Sequence, residues 1–192
     1  GVGSHPLKHL KPYVLKEVDG IKIAIVGLST PGMPTWFRPE YLGDLVFESA
    51  VDCLKKVLPK VLLEKPDIII VGAHQGYPAY GRQRIANHIK EIAFNFPEVD
   101  ILIGGHTHKV IAIDSVNNIP YAQAGYHGIW LGRMDIVYDN VQKKVLSCEG
   151  QLIEMNAGVA EHPKLKKRLS KLLKTTDLKL AKVIVKNSSG FS

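Results

Sequence analysis

Hydrophobic residues follow a strand-like pattern in four segments of the first part of the chain. Tyr13–Val18 and Ile21–Leu28 are rich in apolar and β-branched residues, and the Asp19-Gly20 pair between them is typical of a tight hairpin turn. Residues 67–73 and 99–105 are nearly continuous apolar runs, which is the pattern of strands covered on both faces. These segments predict a hairpin followed by two buried strands.

Segments with helical spacing separate these strands. Residues 46–64 carry a hydrophobic stripe at helical spacing, although Pro59 is expected to kink or divide the helix. Residues 80–96 predict a second helix, and Arg82 and Arg84 near its start are candidates for binding an anionic substrate. The members of the first stripe are Val46, Ala50, Cys53, Leu54, Val57, Val61 and Leu62.

The second half of the chain changes to shorter β-rich runs with turn residues between them. These runs cover residues 110–114, 119–125, 130–139 and 143–155. They predict an antiparallel meander. A chain that begins with alternating strands and helices and ends with a meander is α/β, with either one mixed sheet or two stacked sheets.

Composition is that of a globular protein. The 192 residues allow one domain with a short appendage. A hydrophobic content of 45% and a mean hydropathy of +0.01 exclude a disordered, collagenous or coiled-coil protein. No apolar run reaches the roughly 18 residues required to cross a bilayer, so no transmembrane segment is expected. Two cysteines cannot form a framework of several disulfides.

The positive net charge of +7 comes from the end of the chain. Residues 163–192 hold nine Lys or Arg against one acidic residue, whereas residues 1–162 sum to −1. The end segment repeats leucine at helical spacing, which predicts a basic amphipathic helix. Its leucines either dock on the body of the domain or belong to a surface for a phosphate backbone or a membrane. No aromatic residues interleave with its lysines, so specific nucleic-acid binding is not expected.

Histidines follow two of the predicted buried strands. His74 comes directly after residues 67–73, and His106 and His108 come directly after residues 99–105. Ligands bind beyond the carboxyl ends of strands in sheets covered by helices, and neutral imidazole is a ligand of zinc and several other transition metals. If the 106–108 segment is extended, its histidines contact different points of one site. A single histidine after a strand is more often a hydrogen-bonded loop residue, so the metal hypothesis depends on all three.

Four sequence blocks occur in an order that resembles a known family. The blocks are PYVLKEVDGIKIAIVGLSTP, DIIIVGAHQG, VDILIGGHTH and IPYAQAGYHGIWLGRMDI. Together they resemble the second half of a calcineurin-like metallophosphoesterase domain, of the branch that contains 5′-nucleotidases and 2′,3′-cyclic-nucleotide phosphodiesterases. The resemblance implies part of a four-layer αββα sandwich with mixed sheets, metal-assisted hydrolysis of nucleotides or related phosphoesters, and a periplasmic or cell-surface location.

The same resemblance implies roles for individual residues. Two divalent metal ions, such as zinc or manganese, would lie between the loops at the strand ends, with His74 and His106 on one ion and His108 on the other. The residues of the QAGYHG loop would line the substrate pocket. These residues are Gly125, Tyr126, His127 and Gly128.

Three metal-binding motifs of the family are not found in the sequence. The motifs D-x-H, G-D-x-x-D and G-N-H carry the bridging carboxylate, an asparagine ligand and the catalytic histidine, so no catalytic residue is assigned here. Residues 1–162 are therefore expected to be the second half of a catalytic domain, inactive without the first half. Residues 163–192 are expected to be the basic helix and a linker, beginning after Thr175, toward a further domain.

A second hypothesis belongs to a different functional class. The chain is then a non-catalytic α/β fragment or interaction module whose histidines are relic metal ligands. The gene sequence upstream of Gly1 distinguishes the two hypotheses, because D-x-H and G-D-x-x-D motifs there would support the enzyme.

Overall fold

Six strands form one mixed sheet and two further strands form a separate hairpin in the computed structural model, which describes residues 9–77 and 85–182. The strands are β1 (Tyr13–Val18), β2 (Ile21–Leu28), β3 (Ile68–Ala73), β4 (Ile101–Ile103), β5 (Val110–Val116), β6 (Ile119–Ala124), β7 (Trp130–Asp139) and β8 (Lys144–Glu154). The helices are α1 (Met33–Trp36), α2 (Pro39–Leu42), α3 (Ala50–Leu63), α4 (Ile89–Asn95) and α5 (Pro163–Leu180).

The main sheet has the strand order β1-β2-β3-β4-β6-β5. The four central strands are parallel, and β1 and β5 run antiparallel at the two edges. Asp19 and Gly20 join β1 to β2 with φ values of 50° and 79°, the left-handed pair that a type I′ hairpin turn requires. The predicted hairpin and the α/β class are confirmed.

One face of the main sheet packs against α3 and α4. Residues that pair between neighbouring strands lie side by side on this face. Their side chains are buried against the helices. Val26, Val71, Leu102 and Tyr121 are all fully buried in this core. The sheet and its helices therefore form two packed layers.

The predicted first helix differs from α3 at its start and along its buried stripe. The helix begins at Ala50, because the hydroxyl oxygen of Ser49 accepts a hydrogen bond from the Asp52 N–H at 3.1 Å and caps the first turn. Val46 lies before the helix and is 84% exposed, so its place in the stripe is wrong.

The predicted stripe of α3 needs a second correction. Leu58 is buried within the helix, whereas the predicted member Leu62 is 42% exposed. Pro59 does not divide the helix. The carbonyl that loses its partner belongs to Lys55, which is exposed and can bond to water instead.

The predicted second helix is shorter than expected. α4 begins at Ile89, and residues 85–88 are not α-helical. The Asn87 side-chain oxygen instead accepts from the Gly76 N–H at 2.8 Å, and the His88 N–H donates to the side chain of Gln75 at 2.9 Å. These bonds hold residues 85–88 against the loop that follows β3. Residues 80–84, with the candidate arginines Arg82 and Arg84, lie outside the described residues.

The predicted meander is two hairpins in different sheets. β5 and β6 join the main sheet, because β6 pairs in parallel with β4, whereas β7 and β8 pair only with each other among the described strands. The sequence left open whether one mixed sheet or two stacked sheets form, and both features are present. A cavity of about 300 Å³ lies between the sheets, lined by Ile70, Ile101, Ile103, Ala122, Gln123, Ala124, Gly132, Met134, Ile136 and Leu152.

Asp67 connects the β7–β8 hairpin to the main sheet. Its carboxylate accepts hydrogen bonds from the Lys22 N–H at 2.8 Å and from the Tyr138 hydroxyl at 2.9 Å. These two donors, with Lys143 nearby, hold the pKa of Asp67 below its ordinary value. Because ionisation is easier in the folded chain, Asp67 stabilises the fold above the unfolded pKa of about 4, and this contribution is lost as pH falls through the folded pKa.

Asp67→Asn is therefore expected to lower the urea midpoint near neutral pH, by an amount that shrinks as the solution is acidified. Urea unfolding between neutral pH and strongly acidic pH measures the difference from the wild type. The control is Asp135→Asn on the exposed face of β7, where the ion pair with Arg133 is expected to contribute little. A difference that is the same at every pH would contradict the role of the Asp67 charge.

Residues 156–192 form a second compact unit, separate from residues 1–155. Within the described part of this unit, helix α5 contains no buried residue. The helix continues beyond Thr175 to Leu180, so the expected start of a linker after Thr175 is wrong. The hydroxyls of Thr175 and Thr176 donate to carbonyls four residues earlier at 3.0 Å, which accommodates both residues in the helix. The domain roles of 1–162 and 163–192 stay predictions.

The helices described for residues 9–77 and 85–182 include none with the combined length and apolar character of a membrane span.

Candidate metal centre

The candidate histidines follow parallel strands whose carboxyl ends meet at one edge of the main sheet. His74 comes directly after β3, and its N–H donates to the carbonyl of Leu28 at the end of β2. The next loop is tied to the first, because the Gly105 N–H donates to the carbonyl of Gln75 at 2.8 Å. The parallel pairing of β2, β3 and β4 thus brings the loops that carry the histidines together.

His74 and His106 form the first contact of the site. Their ring centroids are 5.2 Å apart and the rings meet edge to face at 68°. Trp36 adds a third ring, with its centroid 5.0 Å from that of His106. Its side chain is 49% exposed, so one part of its surface remains accessible.

Trp36 is a site residue that sequence reasoning missed. It lies in α1, outside the segments whose sequence patterns pointed to the site. A signal was available, since this segment follows β2 and β2 ends at the same edge as β3. The rule that ligands bind beyond strand ends therefore applies to this segment as well.

The segment that carries His106 and His108 is not extended. Both residues are in the left-handed region, with φ values of 67° and 57°, and the Thr107 N–H donates to the Gly105 carbonyl at 2.7 Å to form a tight turn. The expected alternation of an extended strand is therefore wrong. Left-handed backbone is uncommon outside glycine, and histidine is among the residues enriched there. Strain of this kind is often concentrated at functional sites.

His108 belongs to a second group of rings, with Tyr126 and His127. The rings of His108 and Tyr126 are stacked at 4.9 Å and 24°, and the centroid of His127 lies 6.2 Å from that of His108. Gly125, His127 and Gly128 all have positive φ, which turns this loop back over the strand edge. The structure therefore brings together His108 and the predicted substrate loop, whereas the role of that loop stays a prediction.

Burial and neighbouring imidazoles favour the uncharged form of His106. Its pKa is lowered first by partial desolvation and then by the positive charges that His74 and His108 carry when protonated. A metal binds the neutral imidazole, so the surroundings of His106 favour the form that acts as a ligand.

The donor atoms fit divalent transition metals in type but provide only part of a ligand set. Imidazole nitrogen suits zinc and several related ions. Within residues 9–77 and 85–182, no cluster of three or more His, Cys, Asp or Glu side chains could hold a metal ion. The histidines instead form two groups, His74 with His106 and His108 with His127. A complete centre would need additional ligands, carboxylates above all, to balance the charge of the ions.

Curated relatives are similar to most of the chain. Protein UshA of Yersinia enterocolitica is 31% identical over 168 residues, which cover 76% of this chain and 30% of that protein. A 5′-nucleotidase of Vibrio cholerae is 28% identical over 159 residues, which cover 71% of this chain and 29% of that protein. The chain thus spans about a third of the length of these relatives. The sequence matches no protein-family model.

A solved structure agrees with the fold. The calcineurin-like phosphoesterase YfkN of Bacillus subtilis superposes with a TM-score of 0.76 over 91% of this chain and 60% of that one, at 20% sequence identity. The α/β arrangement described above is therefore the fold of that structure, and the expected fold class is confirmed.

Proposed function

Because the chain is a homologue of the 5′-nucleotidases and has the calcineurin-like metallophosphoesterase fold, we propose that it forms part of a metal-dependent hydrolase of nucleotides or related phosphoesters. The observation that carries this proposal is the contact between His74 and His106, which follow neighbouring parallel strands with ring centroids 5.2 Å apart. Two imidazoles from separate loops at a strand edge are suited to hold one ion between them.

Each of the two groups of rings would bind a different metal ion. His74 and His106 would hold one divalent ion and His108 the other, each as a neutral imidazole. A divalent metal, when bound, polarises phosphoryl oxygens and lowers the pKa of a bound water. His74 and His106 can bind one ion only if the loops after β3 and β4 keep a constant separation. The backbone hydrogen bond from Gly105 to Gln75 joins these two loops.

The loop of Gly125, Tyr126, His127 and Gly128 would line the substrate pocket. Tyr126 is 43% exposed although one face of its ring stacks on His108, so it retains accessible surface beside the imidazole. An aromatic face of this kind can pack against the planar base or the sugar of a nucleotide. The two glycines keep the loop backbone accessible to a phosphate group.

The remaining metal ligands would come from polypeptide outside these 192 residues. Two dications held by three neutral imidazoles leave four positive charges without a protein carboxylate, which is unfavourable away from water. Such ligands would lie in a part that corresponds to the uncovered length of the relatives, since the chain covers 30% of UshA and 29% of the 5′-nucleotidase. The family resemblance further supports a periplasmic or cell-surface location.

The test compares the complete gene product that contains these residues with the 192-residue chain alone. The complete product is expected to release phosphate from AMP with Mn²⁺, to lose this activity with EDTA, and to regain it with added Mn²⁺. The chain alone is expected to be at least about a hundredfold slower and to bind Zn²⁺ or Mn²⁺ weakly, because ligands are missing.

Two results would count against the proposal. Absence of hydrolysis of both AMP and 2′,3′-cyclic AMP by the complete product would favour the interaction module with relic ligands. Calorimetry that detects two tight metal sites on the 192-residue chain would contradict the assignment of ligands to other polypeptide.

A further inference from the structure

A buried glutamine lies directly beneath the turn that carries His108. Gln123, in β6, is 1% exposed and therefore has no access to bulk water. The donors and acceptors around Gln123 assign the orientation of its carboxamide. The carboxamide oxygen accepts from the N–H groups of His108 and Lys109, at 3.0 and 2.9 Å. In that orientation its nitrogen donates to the hydroxyl oxygens of Tyr121 at 2.8 Å and Thr107 at 3.0 Å. One side chain thus binds three consecutive residues of the turn.

Close packing fixes the partners of Gln123 as well. A Cβ at Gly104 would lie 2.3 Å from the Tyr121 hydroxyl oxygen, and a Cβ at Gly76 would lie 2.2 Å from the Thr107 hydroxyl oxygen. The side chains of Tyr121 and Thr107 therefore pack directly on the backbone of these two glycines, and a larger residue at either position would displace them. The loop after β3 and the loop after β4 both pack against the residues that contact Gln123.

The turn has a second connection on its other side. The carbonyl of Lys109 accepts from the Gly125 N–H at 3.0 Å, which joins the turn to the start of the predicted substrate loop. The Gln123 carboxamide and this backbone bond act on adjacent peptide groups. They hold His108 in its left-handed conformation, with φ of 57°, between β4 and β6.

We propose that Gln123 is a positioning residue, which sets the direction of the His108 imidazole by binding the N–H groups of His108 and Lys109. This inference rests on the proposed function, since it concerns a histidine assigned there as a ligand. An apolar side chain of the same size would remove the acceptor that the N–H groups of His108 and Lys109 share, and the turn would lose the bonds that hold its conformation. The imidazole of His108 would then leave its stacked position on Tyr126.

The test measures backbone amide hydrogen exchange by NMR in the 192-residue chain without metal. Gln123→Met removes the hydrogen bonds at nearly constant volume, and it is expected to speed exchange at His108 and Lys109 by at least about tenfold relative to the amides of β2 and β3. Gln151→Met is the matched control, because Gln151 is an exposed glutamine in β8. It is expected to leave both amides unchanged.

Gln123→Glu separates positioning from general stability. The carboxylate still accepts from both N–H groups, and the hydroxyls of Thr107 and Tyr121 can donate to it. Exchange at His108 and Lys109, measured relative to the amides of β2 and β3, is therefore expected to be no faster than in the wild type, even where the buried charge lowers the unfolding midpoint. Rescue of this kind is not expected if Gln123 only fills space, and it remains measurable if Gln123→Met fails to fold.

A second readout connects the turn to metal binding. Titration with Zn²⁺ alone is expected to give an affinity about 10- to 100-fold weaker at the site of His108 for Gln123→Met than for the wild type and for Gln151→Met, whereas the affinity of the His74–His106 pair is expected to stay unchanged. Unchanged exchange at His108 and Lys109 in Gln123→Met, or faster exchange in Gln123→Glu, would overturn the positioning role. Failure of the wild-type chain to bind Zn²⁺ would instead count against the proposed function, and the exchange result would still decide the role of Gln123.

Discussion

His106→Ala is expected to reduce phosphate release by the complete gene product at least about a hundredfold at saturating Mn²⁺, since even residues that only support a ligand commonly contribute 10- to 100-fold. The reason is the position of His106 at a strand end, where its ring contacts that of His74. Its loss would leave His74 without the second imidazole of the pair. Steady-state hydrolysis of AMP over a range of Mn²⁺ concentrations measures the effect.

The matched control for this substitution is His162→Ala. His162 is exposed at the start of α5, and its side chain makes no capping hydrogen bond, so the same chemical change is expected to leave hydrolysis intact. Turnover in His106→Ala equal to that of the control, with metal saturating, would show that His106 is not a ligand.

Gly150→Ala is expected to lower the free energy of unfolding by roughly 3 kcal/mol, at the upper end of the usual cost of overpacking. A Cβ at Gly150 would lie 2.0 Å from the carbonyl oxygen of Ala112 and 2.8 Å from its carbonyl carbon. These are backbone atoms of β5, so no side-chain rotation can make room. The main sheet and the β7–β8 hairpin would have to separate locally, and urea unfolding measures the loss.

Gly27→Ala is the control for this prediction. Gly27 also lies in a strand, but a Cβ there meets nothing within 4 Å and its φ is not positive. The substitution is expected to be neutral or slightly stabilising, because alanine loses less backbone entropy than glycine on folding. Equal destabilisation by the two substitutions would mean that the close approach of Gly150 to Ala112 is not the cause of the lower free energy of unfolding.

Local signals in the sequence predicted the parts of the fold that depend on neighbouring residues. The Asp19-Gly20 turn and the two strands beside it follow from the preferences of a few adjacent residues, and they agree with the structure residue for residue. The buried strand before His74 was also visible, because a continuous apolar run has few alternatives in an α/β protein.

Long-range pairing was less accessible to sequence reasoning. β6 could have continued a meander with β7, and only its pairing with β4 places it in the main sheet. Leu58 was missed although it follows Leu54 by four residues, because Cys53, Val57 and Leu62 are also apolar and indicate a stripe on a neighbouring part of the helix surface. Such features depend on contacts between distant segments, which a periodic pattern does not encode.

The candidate site divides in the same way. The predicted strand ends placed His74, His106 and His108 at one edge of the sheet. The family resemblance implied that His74 and His106 bind one ion and that His108 binds the other. The turned backbone of the 106–108 segment was not predictable, since histidine carries no obligatory signal for positive φ. Its nearness to Trp36 depends on how the loop after β2 folds back, which the sequence pattern does not determine.

The left-handed backbone at positions 106, 108 and 127 limits which residues can replace these histidines. Asparagine tolerates this conformation and offers a side-chain oxygen as a donor atom, whereas most other residues with suitable donor atoms would add backbone strain. Few amino acids therefore combine a suitable donor atom with tolerance of a positive φ. The φ dihedral angles of the loops therefore limit substitution at these three positions independently of the metal- and substrate-binding roles proposed for them.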